Sequence, residues 1–459
     1  MAGQIQPRRR YMGVDVGGTK IQATLVEESG AILSRNRVPT PREGGSAAAV
    51  DAIAGSIVDL LDDQEMIPED LAAIGIAVAG VVDPDAGSVV ITPNMELTGV
   101  SIVPELRDRF GVPVALGNDT NMGTLGERWL GAARQAESVL GVLVGTGIGG
   151  GFVEGTALMQ GYRNCATEIG HMVMEMDGPE CGCGNKGCFE ALASRTAMDR
   201  DIRAAIDKGR KSVMTDLLAE KGPLIRSGML RTALQQEDKV VTRVMTRASE
   251  IIGMACLSAR HMLDPEIIVL GGGVVEACGD FMLPIIQGVL DTDGLTGSRP
   301  PVPVRLAALG DDAVVLGAVA LARQEVGRSA FHKRYRTIPI YPRVEEASYG
   351  EITIGGKTYS RDAYIRASGN SKKRKKSLAK GNKAPGPDID AKEMDKICRG
   401  GPAEVFIGTG FQTPVEVLDD AMRFCRDRAI ECTVASTPEA IRHYHRSKKR
   451  RALFARVLS

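Results

Sequence analysis

Twice in this chain a buried-type strand runs into a glycine-rich turn and out again into a second strand. Tyr11 to Val16 leads through Gly17-Gly18-Thr19 into Lys20 to Val26. Val139 to Val144 leads through Gly145-Thr146-Gly147-Ile148-Gly149-Gly150-Gly151 into Phe152-Val153. A pattern that restarts in this way predicts two similar lobes facing a cleft. Strand and helix signals alternate after each start. The first half gives strands at Ala31 to Val38, Ile74 to Val78 and Val112 to Leu116, with helices at Ser46 to Asp62, Val103 to Phe110 and Thr120 to Leu130. In the second half a helix at Val240 to Met262 precedes a strand at Ile267 to Leu270, closed by Gly271-Gly272-Gly273. A helix at Gly279 to Leu290, a strand at Val302 to Leu306 and a helix at Ala313 to Glu325 complete it. Alternation of this kind marks an α/β fold.

Charge then divides the chain. Lys+Arg and Asp+Glu are equal at 57 each, yet 27 of the basic and only 15 of the acidic residues lie from Ser329 onward. That part carries +12 and the remainder −12, so two modules with different histories or partners are expected. The two-lobed module is placed at 1–328, with lobes at roughly 11–118 plus the last helix, and 119–310. A basic linker at 329–350 contains Pro339 and Pro342. A small α/β domain follows at 351–459. It offers a hairpin (Ile352 to Ile354, Thr358-Tyr359), a strand at Glu404 to Ile407, a helix at Leu418 to Arg428 and a strand at Glu431 to Ala435. Thr437 is the expected N-cap of a further helix, with Pro438 at its first position, before a last strand at Ala452 to Val457.

Met1 to Arg10 is polar and then basic, without the apolar core of a secretory signal. Apolar runs such as Ile267 to Leu270 fall far short of the roughly 20 residues that span a bilayer. Nine cysteines, three of them clustered, suit a cytoplasmic chain that binds metal better than one held by disulfides.

Three motifs can carry chemistry. In Asp15-Val16-Gly17-Gly18-Thr19 the glycines let backbone N–H groups approach a phosphate, Asp15 can orient magnesium through water, and Thr19 can donate to phosphate. A plain hairpin turn would need only the two glycines. Gly145 to Gly151 is a second candidate phosphate cradle with the same alternative. No Gly-x-x-x-x-Gly-Lys-Ser/Thr occurs, which argues against a P-loop enzyme. In Gly117-Asn118-Asp119-Thr120-Asn121, Asp119 follows a strand and precedes a helix, where side chains face the cleft of an α/β fold. Its carboxylate could take a proton from an attacking hydroxyl, or the Asn-Asp pair could simply cap the helix.

The densest signal is His171 with Cys181-x-Cys183 and Cys188. Three thiolates and an imidazole suit tetrahedral zinc, and Gly182, Gly184 and Gly187 permit the turns that converge the sulfurs. Four protein ligands leave no open position, so the expected zinc is structural. Such a knot would also fix Glu168 and Glu190 against the cleft.

These motifs, in this order and with Glu168-Ile169-Gly170-His171 and Cys188-x-Glu190, resemble the ROK family (repressor, open reading frame, kinase) over about Tyr11 to Gly327. The resemblance implies a two-lobed actin-like ATPase fold, ribonuclease H-like, with ATP and magnesium bound in its cleft. It implies that Asp119 is the general base, and that Asn118, Glu168, His171 and Glu190 bind sugar hydroxyls with Gly80 behind the sugar and Asn94 at its border. His171 would hold zinc with one ring nitrogen and meet substrate with the other. Gly17, Gly18, Thr19 and Lys20, with Gly145, Thr146 and Gly147, would hold ATP phosphates, and Gly272 and Gly273 would flank adenosine. A homodimer and a glucokinase-like activity are implied as well. Two places depart from the family. Cys165-Ala166-Thr167 precedes Glu168 where relatives carry Gly and Ala, and Val100 stands where many glucose-specific members have Trp. Both border the sugar pocket and leave the sugar open among glucose, fructose and N-acetylhexosamines.

Some members are transcriptional repressors with a helix-turn-helix ahead of the first strand. Only ten residues precede Tyr11, too few for that motif. The segment from about Glu351 to Leu458 resembles a small α/β family that includes a mitochondrial complex I assembly factor. It does so through Ile354-Gly355-Gly356-Lys357-x-Tyr359, the Lys372 to Lys376 run, Glu404 to Gly410 and Thr437-Pro438-Glu439-Ala440. No catalytic constellation is visible there. The Lys/Arg run is read as a solvated hairpin, with an anionic ligand or protein partner as the alternative, and His443 and His445 as exposed helix residues. A non-catalytic sugar-sensing or assembly protein is the competing function.

Overall fold

The structure is a computed structural model, and it describes residues 9–92, 95–296, 301–331, 341–374, 388–399, 401–411, 416–428, 430–447 and 449–457. The chain forms two compact units, Met1–Ala330 and Phe331–Ser459.

The first lobe of the first unit runs β1 (Arg10–Val16), β2 (Lys20–Glu27), β3 (Ile32–Pro39), α1 (Gly45–Asp63), β4 (Leu71–Val78), the hairpin β5 (Val81–Asp83) and β6 (Ser88–Ile91), α2 (Ile102–Phe110) and β7 (Val114–Asn118). Its five-stranded sheet has the order β3-β2-β1-β4-β7. The first three strands are antiparallel and the last two join parallel. β1 and β4 are apolar almost throughout because both faces of the sheet are covered. β3 instead alternates exposed and half-buried residues, as an edge strand with one wet face must.

Helix α3 (Asp119–Trp129) leaves β7 without a loop and carries the chain into the second lobe. That lobe contains β8 (Ser138–Val144), β9 (Ile148–Glu154), β10 (Ala157–Leu158), α4 (Phe189–Ala193), α5 (Arg195–Asp207), α6 (Met214–Lys221), α7 (Ser227–Gln235), α8 (Lys239–Leu263), β11 (Ile267–Gly271), α9 (Gly273–Asp291) and β12 (Val304–Leu306). Its sheet, β10-β9-β8-β11-β12, repeats the first: an antiparallel trio followed by two parallel strands. The final helix, α10 (Ala313–Glu325), returns to pack on β1, β4 and β7 and against α3, which itself lies on β8 and β9. So α3 and α10 cross between the two sheets. They cross closely: a Cβ on Gly126 would strike the Ala313 carbonyl oxygen, and one on Gly317 the Met122 carbonyl oxygen.

Several expectations need correction. Ile148 to Gly151 is strand, not turn: Gly149, Gly150 and Gly151 pair with Leu143, Val142 and Gly141. Their small size serves packing, since Cβ atoms at 149 and 151 would press on the Thr120 and Thr124 hydroxyls of α3. Helix α9 starts at Gly273 rather than Gly279, directly from β11. Gly279 lies within it because Leu306 packs there. α9 is long and apolar enough to cross a membrane by length and composition, but Val274, Val275, Cys278, Met282 and Ile286 are buried in the core of this lobe. The sequence reading had no elements for α4 to α7.

The second unit contains β13 (Val344–Ser348), β14 (Glu351–Ile354), β15 (Lys357–Tyr359), β16 (Ala363–Ile365), β17 (Ser371–Lys373), α11 (Ala391–Ile397), β18 (Glu404–Gly408), α12 (Asp419–Asp427), β19 (Glu431–Ala435), α13 (Thr437–Arg446) and β20 (Arg451–Ala455). β13-β14-β15 is a meander, and β17-β16-β20-β18-β19 is a sheet in which β18 lies parallel to both β19 and β20. α11 and α12 cover one face of that sheet and α13 the other. Residues 344–348, assigned to the linker by sequence, are the strand β13; its polar run hides a single core residue, Val344. Ser436, not Thr437, is the N-cap residue of α13. The Thr437 hydroxyl donates to the Arg456 carbonyl at 2.7 Å and accepts the Gly410 N–H, so it ties loops together. Lys372 and Lys373 lie on β17, while Arg374 is paired with Asp362 and Glu393. Lys375 and Lys376 and most of the expected linker fall outside the described residues. His443 and His445 are exposed on α13, and His445 Nε2 accepts the Val344 N–H.

Candidate active site

The centre of the site is the joint between β7 and α3. Asn118 is the N-cap of α3: its Oδ1 accepts the Asn121 N–H at 3.0 Å. Its Nδ2 donates to the Gly80 carbonyl at 2.9 Å and to Asp119 Oδ1 at 3.0 Å. The capping role therefore belongs to Asn118. Asp119, one position later, is released from it. Asp119 Oδ1 also accepts the Thr120 N–H at 2.8 Å, and no described residue hydrogen-bonds to Oδ2. Gly80 adopts φ +131°, and a side chain there would collide with the Ile91 carbonyl. Asn94 lies outside the described residues.

Carboxylates gather around this joint. Burial pushes the Asp119 carboxyl above the usual range, and Glu168 adds to the effect. Asp15 is the penultimate residue of β1 and is pushed up to about 6, first by burial and then by the charge of Asp119. Burial raises Glu168 as well, with His171 opposing it and Glu190 reinforcing it. Negative groups this close are the arrangement expected where a magnesium-bound polyphosphate and a proton acceptor must sit together.

The two glycine turns face different partners. At the first, the Gly17 N–H donates to the Lys20 carbonyl at 3.0 Å. Thr40 locks this turn: its hydroxyl donates to the Gly17 carbonyl at 2.6 Å and its N–H to the Thr19 carbonyl at 3.1 Å. Lys20 reaches Asp311 at 3.8 Å. Gly18 and Thr19 remain at the surface of the turn. At the second, Gly145-Thr146-Gly147 is closed by the Gly145 N–H donating to the Gly147 carbonyl at 2.9 Å. Arg195 and Thr196, at the start of α5, hold it from outside. The Arg195 N–H donates to the Gly145 carbonyl at 3.0 Å, its guanidinium to the Thr146 hydroxyl, and the Thr196 hydroxyl to the Thr146 carbonyl at 2.8 Å. Sequence reasoning missed Thr40, Arg195 and Thr196, which lie outside any glycine motif. Gly272 precedes α9 at φ +85°, and Gly273 opens that helix close to Ser227.

His171, Cys181, Cys183 and Cys188 come together with their ligand atoms all within 4.8 Å of one another. His171 Nδ1 is 3.6 Å from Cys181 Sγ, and Cys183 Sγ is 3.7 Å from Cys188 Sγ. Separations of this size suit four corners of a tetrahedron around zinc at about 2.3 Å from sulfur. Burial pushes the Cys188 thiol up to about 12, so a cation is the natural means of holding a thiolate there. Glu168 caps the single turn Ile169–His171, and Glu190 sits in the first turn of α4. Glu190 Oε1 lies 3.7 Å from Cys181 Sγ, and the Glu168 carbonyl accepts the His171 N–H at 3.0 Å.

Two lobes of duplicated topology, joined through crossing helices with a carboxylate at their hinge, define an actin-like ATPase. The ROK family profile matches residues 11–325. A glucokinase from Thermotoga maritima is 33% identical over 324 residues, 70% of this chain and 99% of that protein. The structure of a ROK hexokinase from Thermus thermophilus matches with a TM-score of 0.58 at 33% identity, covering 69% of this chain and 99% of that one. A ROK family glucokinase from Streptomyces griseus, in complex with glucose and AMPPNP, matches with a TM-score of 0.60 at 32% identity over the same shares. The chain belongs to the ROK family, and it is an ATP-dependent sugar kinase.

Proposed function

We propose that the first unit phosphorylates a hexose, glucose to glucose 6-phosphate, with Asp119 as general base. The observation that carries this reading is the division of labour at the β7–α3 joint. Asn118 caps the helix, and Asp119 Oδ2 is left without a hydrogen-bond partner among the described residues. That oxygen accepts the proton of the sugar hydroxyl as the hydroxyl oxygen bonds to the γ-phosphorus and the bond to ADP breaks. Proton transfer of this type contributes about 10²–10⁴-fold, and positioning and charge supply most of the rest.

The sugar is held by Asn118, Glu168, His171 and Glu190 against Gly80, with Asn94 at the border. ATP phosphates lie on Gly17, Gly18, Thr19 and Lys20 and on Gly145, Thr146 and Gly147, and adenosine lies by Gly272 and Gly273. Asp15 is the residue for magnesium, whose role is to neutralise phosphate charge. His171, Cys181, Cys183 and Cys188 would hold a structural zinc that cross-links the loop carrying the sugar ligands. The glucose assignment draws on the glucokinase relatives, and the enzyme is proposed to be cytoplasmic and homodimeric.

The test is a sugar panel with ATP on wild type and Asp119→Asn. Glucose, fructose, mannose and the N-acetylhexosamines are compared. Glucose is expected to be phosphorylated, and Asp119→Asn is expected to bind sugar while turnover falls at least about 100-fold. Near wild-type turnover in the variant would sink the base assignment. Turnover of an N-acetylhexosamine alone would move the substrate there, consistent with Val100 and Cys165 at the pocket border. No turnover with any sugar would leave a sugar-sensing or assembly role.

A further inference from the structure

We propose that Arg195 is a phosphate-binding residue: it supplies the cation of the second phosphate turn and orients the Thr146 hydroxyl toward the nucleotide. The inference rests on the nucleotide site proposed above. Arg195 opens α5, a helix of 13 residues with no acidic residue in its first turn. A cation is disfavoured at a helix N-terminus, where the dipole already presents positive charge. Among the described residues no carboxylate lies within ion-pair distance of it to offset that cost. The half-buried side chain turns instead to Thr146, where its guanidinium donates to the hydroxyl oxygen.

That contact has a consequence for the hydroxyl. Thr146 Oγ1 accepts from Arg195, and its own hydrogen is left to donate elsewhere. The backbone on both sides is pinned by Arg195 N–H on the Gly145 carbonyl and by Thr196 on the Thr146 carbonyl. A glycine turn, an outward hydroxyl and an uncompensated guanidinium together form a site for a dianionic oxygen cluster. Guanidinium has five N–H donors, and one is used, so the others can reach phosphate oxygens as charge-assisted bonds. The ligand of this chemistry is the polyphosphate end of a nucleoside di- or triphosphate.

The experiment measures binding of ATP, ADP and AMP to the full-length protein by titration calorimetry, with KM values for sugar and ATP. Arg195→Ala is expected to weaken ATP and ADP by about tenfold or more and AMP by less than about twofold, with KM for sugar unchanged. It is also expected to flatten the salt dependence of ATP binding. Arg195→Lys should recover part of the affinity, since it keeps the charge and loses the fork. Wild-type ATP affinity in Arg195→Ala would overturn the proposal. So would equal losses for ATP, ADP and AMP, which mark a collapsed turn rather than a lost phosphate contact. A wild-type protein that binds none of the three overturns the nucleotide site itself.

Discussion

Glu190 Oε2 accepts the N–H of Ile148 at 2.8 Å, and a Cβ on neighbouring Gly147 would run into the same oxygen. Its other oxygen lies 3.7 Å from the Cys181 sulfur. One carboxylate therefore joins the Cys/His cluster to the second glycine turn. Removing zinc should loosen the sugar and phosphate sides together. Chelation, or Cys181→Ser, is expected to release about one zinc per chain and to raise KM for both sugar and ATP by about tenfold. Metal analysis alongside steady-state kinetics checks it. A metal-free protein with both constants unchanged would separate Glu190 from the cluster.

The proposed base sets an acid limit on activity. A protonated Asp119 cannot accept the sugar proton, and burial raises its pKa above the ordinary aspartate value. kcat/KM for sugar should therefore fall with unit slope as pH drops, through an apparent pKa higher than about 4. Glu168 raises Asp119 through its charge, so Glu168→Gln should move this limb to lower pH besides weakening sugar binding. A pH–rate profile of each protein decides the point. A limb that stays in place in Glu168→Gln would show that the two carboxylates do not interact.

Asp15 has a measurable cost in the free enzyme. Its folded pKa of about 6 lies above the ordinary 3.8, so between those values the folded state holds a proton that the unfolded chain has released. Its contribution to stability is complete below about pH 4 and is lost as pH rises through about 6. Asp15→Asn removes this term. Urea unfolding across that range should give a stability difference, variant minus wild type, that grows with pH and levels off above about 7. A difference independent of pH would mean that Asp15 ionises freely in the folded protein.

How far the sequence led is seen in where it failed. Tyr11 to Val16 and Ala313 to Glu325 were legible because largely apolar runs of those lengths, bounded by glycine or charge, favour one reading. The convergence of His171 with Cys181, Cys183 and Cys188 was legible from spacing. Gly149, Gly150 and Gly151 were not: glycine for a turn and glycine for close packing look identical until Thr120 and Thr124 are placed against them. Asn118 and Asp119 were named as a pair, but which of them caps α3 depends on side-chain direction. Arg195 and Thr196 lie far in sequence from Thr146, and only the fold brings them to it.

Glu127 shows the same dependence on distant contacts, and it carries the last prediction. It lies two turns along α3 from Asp119 and is 1% exposed. Its carboxylate accepts the N–H groups of Ala132 at 2.7 Å, Ala308 at 2.9 Å and Leu309 at 2.8 Å. The first follows α3 and the other two precede α10, so one side chain pins both helices that cross between the lobes. Glu127→Gln keeps the shape but replaces one acceptor by an N–H₂ group facing N–H donors. With the new N–H₂ group at the Oε2 place, Ala308 and Leu309 keep the other oxygen and only the Ala132 N–H loses its acceptor, so a loss of about 1–3 kcal/mol is expected. Asp119 rides on the same helix, and kcat should fall by more than KM for sugar changes. Unfolding midpoints and kinetics on Glu127→Gln test both parts. Wild-type stability in that variant would remove the pin, and a rise in KM alone would place Glu127 outside the positioning of the base.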